Sequence, residues 1–276
     1  MMRILIAHDM EGISGVVDWQ HTEPGNPEYE RFRRVMTAEV NAAAAGALEG
    51  GATEVVVTDG HGGGRNVLIE GLLPQVRLNS GSLSPLSMVS GADVGIDAAL
   101  FVGYHARSGT AEAILAHTWS CSRVLGVWLN HAPAGEIHLN SAVCGQFGVP
   151  VLLLAGDAAA CAEASALIPG IATVPVKRAR GFRSAECLSP AVTQPRLRAA
   201  AAAAVRQCLA GRAPQPVAVT RPVHLMVELG NPAMADAAAL MPGIERLDGR
   251  RLAGEFPDML SAYRAFRAAV ALAGTA

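Results

Sequence analysis

The sequence predicts an α/β protein with a mainly parallel sheet flanked by helices, followed by a smaller C-terminal α/β region. Two observations carry this prediction. Short runs of β-branched residues alternate with Ala-rich stretches of helical spacing over the first 190 residues. One run, residues 149–154, is apolar throughout, which is typical of a strand covered on both faces. The composition agrees, because 51% of the 276 residues are hydrophobic and 17% are charged.

The elements predicted in the first part of the chain follow one another in β-α-β order. Residues 3–8 form the first strand, and the helix over residues 28–49 ends at Gly50 and Gly51, since glycine commonly ends helices. The strands predicted next are residues 54–58, 98–104, 123–129, 149–154 and 172–177. The strand over residues 123–129 is a candidate for antiparallel pairing. Further helices are predicted over residues 135–148 and 158–167.

The sequence pattern changes after Pro190, so we predict a domain of residues 1–190 and a smaller region of residues 191–276. The second region opens with a long Ala-rich helix over residues 195–209 and a Pro-rich segment at 213–216. The elements predicted after it are a strand over residues 217–229, short helices, the segment 246–255 and a terminal helix over 257–272.

Charge and cysteine usage exclude several classes of protein. A formal net charge of -2 gives no electrostatic argument for nucleic acid or an anionic membrane as a partner. No apolar run approaches the roughly 20 residues that span a bilayer, and the N-terminus lacks a signal-peptide pattern. Five cysteines without a CxxC motif favour neither a zinc knuckle nor a disulfide framework. We therefore expect a cytoplasmic protein with reduced, mostly buried thiols, and no motif that activates a cysteine nucleophile.

Side chains that can bind metal follow three of the predicted strands. Asp9 and Glu11 follow the first strand, His61 the second and His105 the third. In parallel α/β sheets, ligands bind outside the carboxyl ends of the strands, so these side chains should meet at one edge. Mixed Asp, Glu and His sets suit Zn²⁺, and two such ions would polarise a carbonyl and activate a water. The alternative is that each residue only caps a turn.

Two further features leave alternatives open. The glycine-rich segment 59–64 suggests a phosphate-binding loop, but Arg65 occupies the last glycine position of GxGxxG and no Walker lysine follows. His117 either packs in a strand or enters the same cleft as a proton shuttle or charge stabiliser. The remaining histidines that we expect to be solvated or to serve packing are His8, His21, His131 and His224.

Several motifs together resemble the DppA-type D-aminopeptidases, a family of binuclear zinc peptidases. The segment Asp9 to Gly15, DMEGISG, is similar to the opening signature of that family. Further matching segments in the same order are GYHAR at 103–107, GE at 135–136, AGD at 155–157, LMPG at 240–243 and DML at 258–260. The resemblance runs over nearly the whole chain, and it is the order and spacing of the segments that make it specific.

The resemblance implies a binuclear site with two zinc ions per subunit. Asp9 would bridge the ions, Glu11 and His105 would complete one site, and His61 and Glu136 would complete the other. His117 falls at the position of the family's proposed catalytic histidine, although one extra residue separates it from His105.

The resemblance also implies an activity and an assembly. The activity is that of a metallo-aminopeptidase on short peptides with an N-terminal D-amino acid, for example D-Ala-D-Ala. The implied assembly is a ring-shaped homo-oligomer, for example a decamer, with its active sites facing an internal channel.

Three positions depart from the family pattern, and two other functions stay open. Ala7 and Gly60 stand where serine is common, and His138 stands where a small residue is usual. His138 is either a new substrate contact or a solvated helix residue.

The alternative functions for the protein are another binuclear amidohydrolase or phosphoesterase, or a non-catalytic small-molecule binding protein. Phosphate is disfavoured, because few basic residues beyond Arg65 and Arg107 lie near the motifs.

Overall fold

A seven-stranded sheet positions the site. The computed structural model describes residues 1–82 and 84–276, and the strands of its first sheet are β1 (Arg3–His8), β2 (Glu54–Asp59), β3 (Val76–Asn79), β4 (Ala98–Tyr104), β7 (Val151–Asp157), β8 (Ala172–Gly181) and β9 (Ser184–Cys187). Their order is β3-β2-β1-β4-β7-β8-β9, and every neighbouring pair is parallel except β8 with β9. The predicted mainly parallel sheet is therefore confirmed.

A second, antiparallel sheet of five strands is built from distant parts of the chain. Its strands are β5 (Val124–Leu129), β6 (Ala132–Pro133), β10 (Val223–Leu229), β11 (Glu245–Arg246) and β12 (Arg251–Phe256). The antiparallel pairing of β5 agrees with the sequence. The division into two regions at residue 190 stays a prediction. That division would separate strands of the second sheet, because β5 and β6 lie before residue 190 and the other three strands lie after it.

Helices cover the sheets. They are α1 (Pro27–Gly50), α2 (Glu136–Gln146), α3 (Ala158–Leu167), α4 (Pro190–Leu209), α5 (Pro232–Ala238) and α6 (Met259–Ala273), with 3-10 turns at Trp19–His21, Ile69–Gly71 and Ser87–Val89. Strand β7 is buried on both faces, as the apolar run over residues 149–154 predicts. Val151 and Leu154 join one hydrophobic cluster, and Leu152 and Leu153 join the other. In the described part of the chain, no helix combines the length and apolarity needed to cross a membrane.

Two predicted bounds are wrong because of proline and capping. The strand predicted over 217–229 starts only at Val223, since the preceding Pro216 and Pro222 have no N–H to donate to a ladder. The helix predicted from residue 195 already begins at Pro190, because the Ser189 side chain caps it and proline is favourable at the first helical position. The sequence also gave no sign of the short strands β3 and β9.

Candidate metal centre

The turn after β1 carries the two acidic residues of the predicted centre. Asp9 and Glu11 are both buried, although carboxylates are seldom found in a core. The turn packs directly on β4, where Asp9 N–H donates to Val102 O and Gly12 N–H donates to Gly103 O. A Cβ at Gly103, whose φ is +78°, would lie 2.0 Å from Asp9 O, so only glycine permits this approach.

His61 stands in the glycine-rich loop after β2. Asp59 closes this loop by accepting hydrogen bonds from Asn66 N, Asn66 Nδ2 and Val67 N. The Nε2 atom of His61 lies 3.0 Å from Thr22 O, while its Nδ1 atom lies 3.3 Å from Asp9 Oδ1 and 3.1 Å from Glu11 Oε2. The loop thus delivers an imidazole to the carboxylates.

His105 follows β4 and reaches the same carboxylate from the other side. Its Nδ1 atom lies 3.0 Å from Ala106 O. Its Nε2 atom lies 3.3 Å from Asp9 Oδ2 and 3.3 Å from Glu136 Oε1. Asp9 therefore stands between the two histidines, with one carboxylate oxygen toward each.

Glu136 is the residue that the strand-end argument missed, because it does not follow a strand of the parallel sheet. It is the first residue of α2, and its Oε1 atom accepts a hydrogen bond from Trp119 N at 2.7 Å. A carboxylate in the first turn of a helix is favoured by the helix dipole. Without the resemblance, the only local signal was this Gly-Glu pair at a predicted helix start.

The carboxylates and imidazoles shift one another's pKa. Burial alone would raise the pKa of Asp9, but its contacts with His105 and His61 hold that pKa well below the ordinary value. Burial would lower the pKa of His61, yet Glu11 and Asp9 raise it well above its usual range. Glu136 and Asp9 outweigh burial for His105 in the same way, so its pKa is also raised well above the usual range.

Three polar atoms at the centre are buried and make no well-aligned hydrogen bond with a described residue, although each lies 3.1 to 3.3 Å from a neighbouring imidazole or carboxylate atom. They are Asp9 Oδ2, Glu11 Oε2 and His105 Nε2. A buried polar group of this kind costs free energy unless something binds it, and these three atoms are all metal-ligand types. Oxygen and nitrogen atoms of Asp9, Glu11 and His105 lie within 4.8 Å of one another, as do those of His105, His117 and Glu136. The donor set therefore fits divalent cations.

His117 lies at the edge of this cluster. Its ring stacks on that of His105 with the centroids 4.0 Å apart, and its Nε2 atom lies 3.9 Å from Glu136 Oε1. Its Nδ1 atom lies 2.8 Å from Leu115 O, which fits an N–H donated to that carbonyl and leaves Nε2 as the free ring nitrogen. Leu115 and Trp119 both have positive φ, at +48° and +65°, so the segment that carries His117 is a strained loop and not a strand.

A cavity of about 360 Å³ opens onto the cluster and brings in residues that the sequence did not indicate. Trp19 lines it, with its ring centroid 5.3 Å from that of His117. The exposed Cys121 lines it as well. His138 does not, since it faces a different cavity beside Arg107.

The expectation of mostly buried thiols is wrong in part. All five cysteines are free, but only Cys144 and Cys161 are buried, while Cys121 and Cys187 are exposed. Of the histidines expected to be solvated or packed, His8 is fully buried, and burial lowers its pKa.

Comparisons with known proteins agree with this geometry. The sequence profile of a family described as D-aminopeptidase matches residues 2–268. A D-aminopeptidase of Bacillus subtilis (strain 168) is 40% identical over 268 residues, which cover 96% of this chain and 95% of that protein. The solved structure of the Zn-dependent D-aminopeptidase DppA from Bacillus subtilis, described as a self-compartmentalizing protease, superposes with a TM-score of 0.93 at 37% identity and covers 100% of this chain and 99% of its own.

Proposed function

The chain belongs to the D-aminopeptidase family, and from this membership we propose that it is a zinc-dependent hydrolase that releases the N-terminal D-amino acid of short peptides such as D-Ala-D-Ala. The observation that carries the proposal is the set of buried ligand atoms without a well-aligned hydrogen bond, on Asp9, Glu11 and His105, beside an open cavity that Asp9 and Glu11 line. Such a set suits a metal-dependent hydrolase better than a structural site, because the cavity leaves room for substrate.

We propose that five side chains hold two zinc ions per subunit, as the family resemblance implies: Asp9, Glu11, His61, His105 and Glu136. Asp9 would be shared, which is supported by its central position between His61 and His105. The further pairing of Glu11 with His105, and of His61 with Glu136, stays a prediction; His61 Nδ1 lies 3.1 Å from Glu11 Oε2, and His105 Nε2 lies 3.3 Å from Glu136 Oε1. When bound, a pair of zinc ions supplies Lewis-acid polarisation of the carbonyl and an activated water.

Other residues of the chain would orient the ligands, transfer a proton and position the substrate. Thr22 O accepts a hydrogen bond from the Nε2–H group of His61, and Ala106 O accepts one from the Nδ1–H group of His105. These contacts fix the orientation of both rings. His117 lines the cavity and its Nε2 atom is not used by Leu115 O, so it can hold or pass a proton during cleavage or stabilise the developing oxyanion. Trp19 contributes an apolar wall that orients the substrate and excludes water.

A substrate panel tests the proposal. Purified protein is assayed on D-Ala-D-Ala, L-Ala-L-Ala and a generic phosphoester, with and without chelator. We expect hydrolysis of D-Ala-D-Ala that is lost with chelator and restored by zinc, together with little turnover of the L-dipeptide. Preferential cleavage of the phosphoester, or chelator-insensitive turnover, would contradict it.

We also propose that the chain assembles into a ring-shaped homo-oligomer, for which a decamer is one size. The description of the DppA structure as self-compartmentalizing supports this. Large apolar side chains such as Leu240 and Ile69, which are 80% and 69% exposed in the single chain, offer surface for subunit contacts. Light scattering on the eluting protein should give a mass many times that of one chain; a monomer would contradict the proposal. The cytoplasmic location stays a prediction.

A further inference from the structure

A second cavity lies beside the candidate metal centre and shares a wall with it. Its volume is about 660 Å³. The residues that line both cavities are Gly60, Gly62, Ser87, Trp119 and Ser120. The two cavities are therefore adjacent, and a peptide that occupied both would run along these shared residues.

The second cavity is positively charged. Three arginines line it, namely Arg123, Arg264 and Arg267. Its one lining carboxylate among the described residues, Asp59, already accepts three N–H hydrogen bonds inside the loop after β2. The arginine charge is thus not neutralised by the wall of the cavity.

The three arginine side chains differ in how many contacts hold their guanidinium groups. Arg267 is held in place, because its Nη1 atom donates to Ser84 O and Pro85 O, both at 2.7 Å, and its Cζ atom lies 6.0 Å from the ring centroid of Trp119. The side chains of Arg123 and Arg264 make no salt bridge with any described residue, so their charges are available to a ligand.

We infer that this arginine-lined cavity binds the C-terminal carboxylate of the short peptide whose N-terminus is cleaved at the metal centre. The inference rests on the proposed function. A short peptide carries one negative charge that does not depend on its sequence, at the end opposite the scissile N-terminal residue. Guanidinium groups match the planar geometry of a carboxylate and bind it with charge-assisted hydrogen bonds. The cavity would then select for length, since only a peptide of the right span fills both spaces.

The test compares free acids with amides of the same peptides. The series is D-Ala-Gly, D-Ala-Gly-Gly and D-Ala-Gly-Gly-Gly, each with a free carboxylate and as the C-terminal amide, and release of free D-alanine is measured. The variant is Arg123→Gln/Arg264→Gln in the zinc-loaded protein, which removes two charges and keeps polar side chains of similar length. Arg196→Gln is the matched control, because Arg196 is an exposed arginine of helix α4 and lines neither cavity.

We expect the wild-type protein to have a lower KM for the free acid than for the amide at one or more lengths. The double variant should raise the KM of those acids about tenfold with little change in kcat, since it removes binding that is equal in ground and transition state. Its kinetics on the amides and its zinc content should stay as in the wild type, and Arg196→Gln should match the wild type throughout.

Equal KM values of the wild type for acid and amide at every length would overturn the inference. An equal loss on acids and amides in the double variant would overturn it too, because the arginines would then support the fold and not the carboxylate. Failure of the wild type to release D-alanine from any of these peptides would instead overturn the proposed function, and with it the inference.

Discussion

The two histidines that we propose as metal ligands each use one ring nitrogen for a backbone carbonyl and turn the other to the carboxylates. His61 Nε2 lies near Thr22 O, and His105 Nδ1 lies near Ala106 O. Metal-binding histidines in proteins commonly show this arrangement, because the carbonyl fixes the tautomer in which the opposite nitrogen is a ligand. His117 follows the same rule through Leu115 O. Ring geometry alone therefore does not separate a ligand from a proton carrier.

The role of His117 is tested by removing its ring. In His117→Ala we expect kcat on D-Ala-D-Ala to fall by about 100-fold or more, because a positioned proton carrier is lost, while zinc content per chain stays unchanged. Turnover is measured beside metal analysis of the same preparation. His138→Ala is the control, since His138 lies in a different cavity and its loss should leave both values unchanged. Loss of zinc from His117→Ala would make His117 a ligand instead.

At the scale of elements, a lysine of β8 holds the turn that carries the two proposed acidic ligands. Lys177 is buried, and its Nζ atom donates to Glu11 O, Ile13 O and Val16 O at 2.5 to 2.8 Å. Burial lowers its pKa to about 8, with Asp157 acting in the opposite direction. Three carbonyl oxygens of one loop thus converge on a single cation from a neighbouring strand.

Replacing that cation should loosen the loop. In Lys177→Met we expect the free energy of unfolding to fall by roughly 3 kcal/mol, because buried carbonyl oxygens lose a charged donor. Zinc affinity should fall with it. Denaturant unfolding and zinc titration measure the two effects. Arg178→Met is the control, since the exposed Arg178 is the next residue on the same strand and should tolerate the change. Unaltered stability and zinc affinity in Lys177→Met would show that the loop does not depend on this side chain.

A buried carboxylate lies where helices α1 and α4 pack together. Glu39 Oε1 accepts a hydrogen bond from Thr193 Oγ1 at 2.9 Å, while its Oε2 atom has no partner among the described residues. Burial raises the pKa of Glu39 from 4.5 to about 7. Because the folded pKa is the higher one, the folded state binds the proton more tightly than the unfolded state. The stability that this protonation contributes is therefore present at low pH and is lost as pH rises toward 7 and above.

The raised pKa of Glu39 predicts a pH-dependent effect of Glu39→Gln, a substitution that keeps the shape of the side chain and removes its charge. The difference in free energy of unfolding between Glu39→Gln and the wild type should shift in favour of the variant by on the order of 2 kcal/mol between about pH 5 and about pH 8. Chemical unfolding of both zinc-loaded proteins at each pH measures it. A difference that stays constant across this range, or moves toward the wild type, would contradict the assignment.

At the scale of the whole molecule, the sequence was informative where periodicity and burial act together. The parallel strands β1, β2 and β4 follow from apolar runs, and their shared carboxyl edge follows from the topology of such sheets. Asp9, Glu11, His61 and His105 could be expected there for the same reason. Glu136 could not, because it reaches the edge from helix α2, which follows strand β6 of the second sheet.

The remaining misses have equally physical causes. The pairing of β5 with β10 joins segments about 100 residues apart, and local patterns do not encode which distant strand a segment meets. Lys177 was not singled out as a site residue, since its partners are backbone carbonyls and leave no sequence signature. The arginine-lined cavity likewise depends on tertiary structure, because loops and helix α6, which are distant in the sequence, line it together.

The most direct test of the account is the number of zinc ions bound per chain, because the ligands must come together from widely separated parts of the fold. Zinc is counted by elemental analysis after reconstitution and dialysis of the wild type, Asp9→Ala and Glu136→Ala. We predict two ions in the wild type, none in Asp9→Ala, which loses the shared ligand, and weakened binding of mainly one ion in Glu136→Ala. Two tightly bound ions in Asp9→Ala, or no bound zinc in the wild type, would contradict it.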